Sequence, residues 1–264
     1  MSRLVRAELR ARALAVGALA AGSFLFLLAV ASTYRLLAGA QTVTYYRARV
    51  PTLVAAFAGS TRHDIYQSRR YLAFGFNHPL FFVLTLAAGI WLGGAAVAGD
   101  VESGRSRLLY VRAVDRRQVL DRRVLIFVAA ETLVVVAAFI GAVLGVALSP
   151  GLAGSTAGAA RMALCYLPLA WLLGSVALVA SAWTSRTATA IGVATAVVVA
   201  AYLLNFASLV WTGARAVHWL TPFGYYDPAA AASNVAWARC LVLTATAIGL
   251  VAVARHRVAT RDLV

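Results

Sequence analysis

The sequence contains no lysine; all 24 of its basic residues are arginine. A nucleotide-binding P-loop needs a lysine to reach the phosphates, so no Walker A loop exists in this chain. There are two cysteines and four histidines. Cys165 and Cys240 both fall inside apolar segments, offer no metal or disulfide spacing, and read as small buried hydrophobes. His63, His78, His218 and His256 are scattered, with no HExxH or other paired spacing, so no metal site is assigned. Acidic residues number nine, which leaves a net charge of +15. The arginines flank apolar runs and form no stripe interleaved with aromatics, so the charge reads as membrane topology and not as a nucleic-acid surface.

Only 12% of the residues are charged and 62% are hydrophobic, with a mean hydropathy of +0.82. That composition belongs to membrane proteins. A helix needs about 20 apolar residues to cross a hydrocarbon core about 30 Å thick, and six stretches qualify: roughly 13–37, 79–98, 124–148, 162–182, 188–210 and 235–254. Backbone polar groups in lipid must bond within the segment, so these runs are helices. The expected architecture is an all-α polytopic membrane protein, with residues 1–264 forming a single transmembrane domain of six helices. Ala29-Val30-Ala31 imitates a signal-peptide cleavage site, but the apolar run is longer than such a region, and the segment is expected to be retained.

Arginines set the orientation. The segments 1–12, 99–123, 183–187 and 255–264 carry the excess, which predicts that both termini are cytoplasmic. In residues 1–12, Leu4, Val5 and Leu9 share a face away from Arg3, Arg6 and Arg10, the pattern of an amphipathic surface helix; a plain basic anchor reads equally well. The outer loop 38–78 suggests interfacial helix after Pro51. The segment 211–237, dense in Trp, Tyr, Phe and Pro, suggests an aromatic belt with a short re-entrant turn.

Polar residues inside the spans are candidates for function. Glu131 lies eight residues beyond Arg123 and is either a functional, substrate-contacting acid or a structural one, partnering an arginine at the cytoplasmic rim or packed between helices as a neutral, protonated acid. Asn205 and Thr85 are placed to bond across helices, and Pro168 to kink the fourth span. Gly89 with Gly93, and Gly141 with Gly145, form GxxxG patterns that permit close helix approach.

Between the second and third spans the chain reads Asp100-Val101-Glu102-Ser103-Gly104, then Leu108-Leu109 and Arg116. This stretch resembles the signature of permease subunits of type-2 ABC transporters: an acid four before a glycine, another two before it, paired leucines, then an arginine. Arg122 stands where that family has a lysine, Arg105 replaces its usual threonine and Ala113 its proline. The stretch LTPFGYYDPAAA and the tail RHRVATRDL also resemble family features. The resemblance implies a subunit that dimerises with a second permease copy or a homologous permease and is inserted in the plasma membrane. It also implies a separate ATPase subunit that holds ATP and Mg, with no cofactor on this chain. Residues 99–123 would form a coupling helix that docks on that ATPase through Asp100, Glu102, Gly104, Leu108, Leu109, Arg112, Arg116 and Arg117. The alternative for these arginines is contact with anionic lipid head groups, worth about 1 kcal/mol each; the acids Asp100, Glu102, Asp115 and Asp121 favour coupling.

Two other functions compete with an exporter permease. An intramembrane hydrolase needs a serine and a histidine within spans. Gly174-Ser175 is present, but no histidine falls inside a span, so no catalytic residue is assigned and the chain is expected not to be an enzyme. A non-transporting scaffold or assembly factor would be distinguished by the absence of a neighbouring ATPase.

Overall fold

The computed structural model describes residues 3–37, 68–105, 115–152 and 155–261. Every regular element among them is helical: α1 (Arg3–Leu37), α2 (Ser68–Asn77), α3 (Pro79–Gly94), α4 (Ala98–Glu102), α5 (Arg116–Ala147), α6 (Thr156–Trp183), α7 (Thr187–Val210), α8 (Pro228–Ala231) and α9 (Trp237–Thr260), with short 3-10 segments at Pro150–Leu152, Thr212–Leu220 and Pro222–Tyr225. Five of these helices are long and apolar enough to cross a membrane, and the bent pair α2–α3 supplies a sixth. The protein is an all-α, multi-pass membrane protein.

The helix ends follow local chemistry. Residues 10–14 contain only Arg, Ala and Leu, all strong helix formers. Nothing there separates a surface helix from the first span, and α1 runs through residue 12 without a break. The side chains on the predicted amphipathic face lie outside the described residues, as does most of the outer loop 38–67. The α2–α3 pair bends by 44°. Pro79 disfavours helical backbone at the residue before it, and the His78 ring nitrogen Nδ1 accepts from Leu80 N at 3.1 Å, restarting the chain as α3. The third span begins at Arg116, eight residues before the apolar run, because Asp115 Oδ1 accepts from Arg117 N at 3.0 Å as an N-cap. Pro168 lies inside α6, which continues through it as one helix.

The chain forms two compact units. One comprises Met1–Thr85, Thr132–Leu164 and Pro228–Val235. In it α5 packs on α1 through its GxxxG pattern: a side-chain carbon on Gly141 would fall on the Phe24 carbonyl, and one on Gly145 would meet Ala31. Ser149 Oγ donates to Ala31 O at 3.0 Å. The Thr33 and Tyr71 hydroxyls are 3.0 Å apart, joining α1 to α2, and the Arg161 guanidinium donates twice to Ala232 O, at 3.2 and 2.6 Å.

The other unit comprises Leu86–Glu131, Cys165–Asp227 and Ala236–Val264. Its core is α6, where Tyr166, Leu169, Leu173 and Leu178 are fully buried. Gly93 of α3 lies against the α6 backbone, where a Cβ would sit 2.6 Å from Gly174 O. Thr85, by contrast, donates within its own helix, to Phe81 O at 2.7 Å. The aromatic segment after α7 folds as two 3-10 turns, with Tyr202 against Phe223 and Tyr166 against Tyr226, their ring centroids 5.5 and 5.3 Å apart.

Candidate functional site

The short helix α4 is held at every position that its length leaves open. Its first turn presents backbone N–H groups with no partner in the helix. Ser181 Oγ, buried on α6, accepts from both Val97 N and Ala98 N at 2.9 Å. Gly104 ends the helix with φ +68°, a left-handed conformation that a side chain would strain.

The two acids of α4 each bond to another helix, Asp100 from a buried position and Glu102 from an exposed one. Asp100 is buried and accepts from Arg123 Nη2 of α5 at 2.5 Å, with Arg105 Nε at 4.0 Å from its other oxygen. Glu102 Oε2 accepts from Thr187 N, the first residue of α7, at 2.9 Å. A carboxylate there meets the positive end of the α7 dipole. The backbone and side-chain hydrogen bonds from Thr187, with Arg186 nearby, hold the Glu102 pKa below the usual carboxylate value.

Neighbouring arginines tie further elements to the same end. Arg116 Nη1 donates to Arg261 O at 2.8 Å. The Arg261 guanidinium donates to Ala182 O at 2.8 Å, Thr184 O at 2.9 Å and Ser185 Oγ at 2.8 Å, closing the α6–α7 junction. Arg255 of α9 pairs with Asp121 of α5 at 3.1 Å. Side-chain hydrogen bonds thus join α4 directly to α5 and α7.

Of the predicted coupling residues, the structure gathers Asp100, Glu102, Gly104 and Arg116 into this network and leaves Arg117 exposed. Leu108, Leu109 and Arg112 lie outside the described residues. Ser181, Arg123, Thr187 and Arg261 complete the arrangement. Only Arg261 had a signal in the sequence, its place in the basic tail.

Glu131 has a different setting. It is fully buried, and neither carboxyl oxygen has a hydrogen-bond partner among the described residues. It therefore pairs with no arginine there; α5 is continuous from Arg116, so Glu131 lies eight residues beyond Arg123, about 12 Å along the helix. A side-chain carbon on Gly89 would take the place of its carboxyl group, and one on Gly174 would sit 3.1 Å from Oε1. Two glycines on two other helices thus make the space it occupies.

Asn205 bonds to the following turn, its Oδ1 accepting from Thr221 Oγ1 at 3.4 Å. Ser208 Oγ lies 3.3 Å from His218 Nδ1 but donates its own proton to Asn205 O at 2.6 Å. The serine is thus not activated as a nucleophile, and the contact fixes the turn. Ser175 likewise donates to Trp171 O within α6.

Residues 79–257 match the family model described as multidrug efflux system permease Rv1217c, C-terminal domain. The chain belongs to this family of efflux permeases. The match spans α4, the start of α5 and Glu131, and stops short of Arg261. No curated protein and no solved structure matches the permease. A permease is a transporter component and not itself a catalyst.

Proposed function

We propose that this permease is the membrane-spanning subunit of a type-2 ATP-binding cassette exporter of the plasma membrane, with both termini cytoplasmic and a second permease alongside it. Drug-like compounds are the substrate class in this reading, by kinship with the multidrug efflux family. ATP binds and is hydrolysed on a separate subunit, since no lysine-bearing phosphate loop can be written in this chain.

The observation that carries the reading is the anchoring of α4. A coupling element must be bound to the spans it moves, and α4 is fixed to α5 by Asp100–Arg123, to α6 by Ser181 and to α7 by Glu102–Thr187 N. Both acids are engaged within the chain, and in this reading the stretch from Arg105 to Arg117 meets the ATPase: Leu108 and Leu109 as apolar anchors, Arg112 and Arg117 as partners for acids on its surface.

The test is co-purification with a co-expressed P-loop ATPase. Leu108→Ala with Leu109→Ala is expected to abolish association while the permease still inserts. Unaltered association would refute the docking assignment. A stable complex that shows neither ATP hydrolysis nor drug efflux would instead make the chain a scaffold.

A further inference from the structure

Beside the Arg261 junction, an open groove of about 500 Å³ is lined by Trp183, Ala252, Val253, His256, Arg257 and Thr260. It has an axis of polarity. His256, Arg257 and Thr260 occupy the last turn of α9, and Ala252 and Val253 the turn before it, towards the middle of the span. Val253, four residues before Arg257 on the same side of the helix, is bare apolar surface. The site thus offers charge at the water-facing end of a spanning helix and hydrocarbon contact just inside it.

The Arg257 guanidinium lies over the exposed Trp183 ring, 5.6 Å from its centroid. Its Nε is buried and has no acceptor among the described residues. An arginine stacked on an aromatic ring keeps its planar fork of donors in a fixed plane, a geometry suited to a phosphodiester that meets the accessible edge of the guanidinium. Among the described residues, no carboxylate lines the groove to receive an amine. The nearby charges leave the site cationic: Arg255 is occupied by Asp121, and Arg261 by backbone carbonyls.

We propose that this groove binds one anionic phospholipid, its phosphodiester on Arg257 and its acyl chains along Ala252 and Val253. The shape argues for a lipid over a free anion, because the apolar half of the lining has no use for inorganic phosphate. The preference for an anionic headgroup over choline or ethanolamine follows from the missing carboxylate. The inference does not depend on the partner ATPase.

The experiment measures lipid binding to the purified full-length permease by native mass spectrometry and thermal stabilisation, with phosphatidylglycerol, phosphatidylcholine and inorganic phosphate as separate probes. Phosphatidylglycerol is expected to bind roughly fivefold more tightly than phosphatidylcholine, and Arg257→Gln to remove that preference. Inorganic phosphate is expected neither to stabilise the protein nor to displace the lipid. Arg239, near the start of α9, makes a similar stack on Trp219, 5.2 Å from its centroid. Arg239→Gln should leave binding unchanged. Should Arg257→Gln fail to fold, Trp183→Ala is expected to weaken phosphatidylglycerol binding in the same way. Equal affinity for the two lipids, an Arg257→Gln or Trp183→Ala protein that binds phosphatidylglycerol as wild type does, or displacement by phosphate would overturn the proposal.

Discussion

Asp100 and Glu131 are both buried acids, one 4% and the other 0% exposed, and the fold treats them in opposite ways. Asp100 sits at the end of the spans with an arginine in hydrogen-bond contact. Glu131 lies in the interior of α5, packed between glycines, with no hydrogen-bond partner for either oxygen among the described residues. An unpaired buried polar group costs about 1–3 kcal/mol, and an unpaired charge more. The first acid is therefore held by its pairing, while the second is held against a stability cost.

The largest effect should come from breaking the paired acid. Asp100→Ala leaves Arg123 without its anion in a partly buried position and is expected to cost about 3 kcal/mol, measured by unfolding in detergent. Asp100→Leu combined with Arg123→Leu should cost clearly less, because neither partner is then stranded. If the double variant were as unstable as the single one, the pair would not be what fixes α4 to α5.

The unpaired acid should respond in the reverse sense. Gly89→Ala forces a methyl group onto the Glu131 carboxyl and is expected to destabilise by about 2 kcal/mol, as overpacking does. Glu131→Met, which keeps the length and removes the unsatisfied oxygens, is expected to be neutral or stabilising by about 1 kcal/mol while efflux falls. In a double-mutant cycle, Gly89→Ala with Glu131→Ala should recover most of the loss from Gly89→Ala alone. Additive effects would mean that the glycine is not there to house the acid.

The same contrast marks what the sequence could reveal. Spans were legible because 20-residue apolar runs have no other use, and Glu131 because an acid in such a run stands out. Helix ends at Asp115, Gly104 and Pro79 follow from cap, left-handed and proline chemistry that a sequence displays locally. The acids of α4 were harder. Their presence suggested an external partner, yet Asp100, Glu102, Asp115 and Asp121 each have one inside the fold, two of them 23 and 85 residues away along the chain. Such pairings depend on tertiary geometry. Ser181 gave no signal at all, as a single serine in an oily helix. The GxxxG pairs were visible but undistinguished in a chain with 20 glycines; packing against Phe24, Ala31, Glu131 and Gly174 singles them out.

The smallest effect expected is at Glu102, where an exposed acid does structural work. Its pKa is lowered in the fold, so the carboxylate is favoured over its unfolded counterpart. The stability this supplies is fully present above the ordinary value of about 4.5, and it is lost as the pH falls through the lower folded value. Melting temperature should therefore drop on acidification below about pH 4.5 in the wild type, and Glu102→Gln should remove part of that drop while changing little at neutral pH. The side chain is fully solvated, so the shift should be the least of the three and should shrink further in high salt. Were Glu102→Gln to lower the melting temperature as much as Asp100→Ala, the exposed acid would carry as much of the anchoring as the buried one. The contrast between buried pair and exposed cap would then give way to a single cooperative clamp on α4.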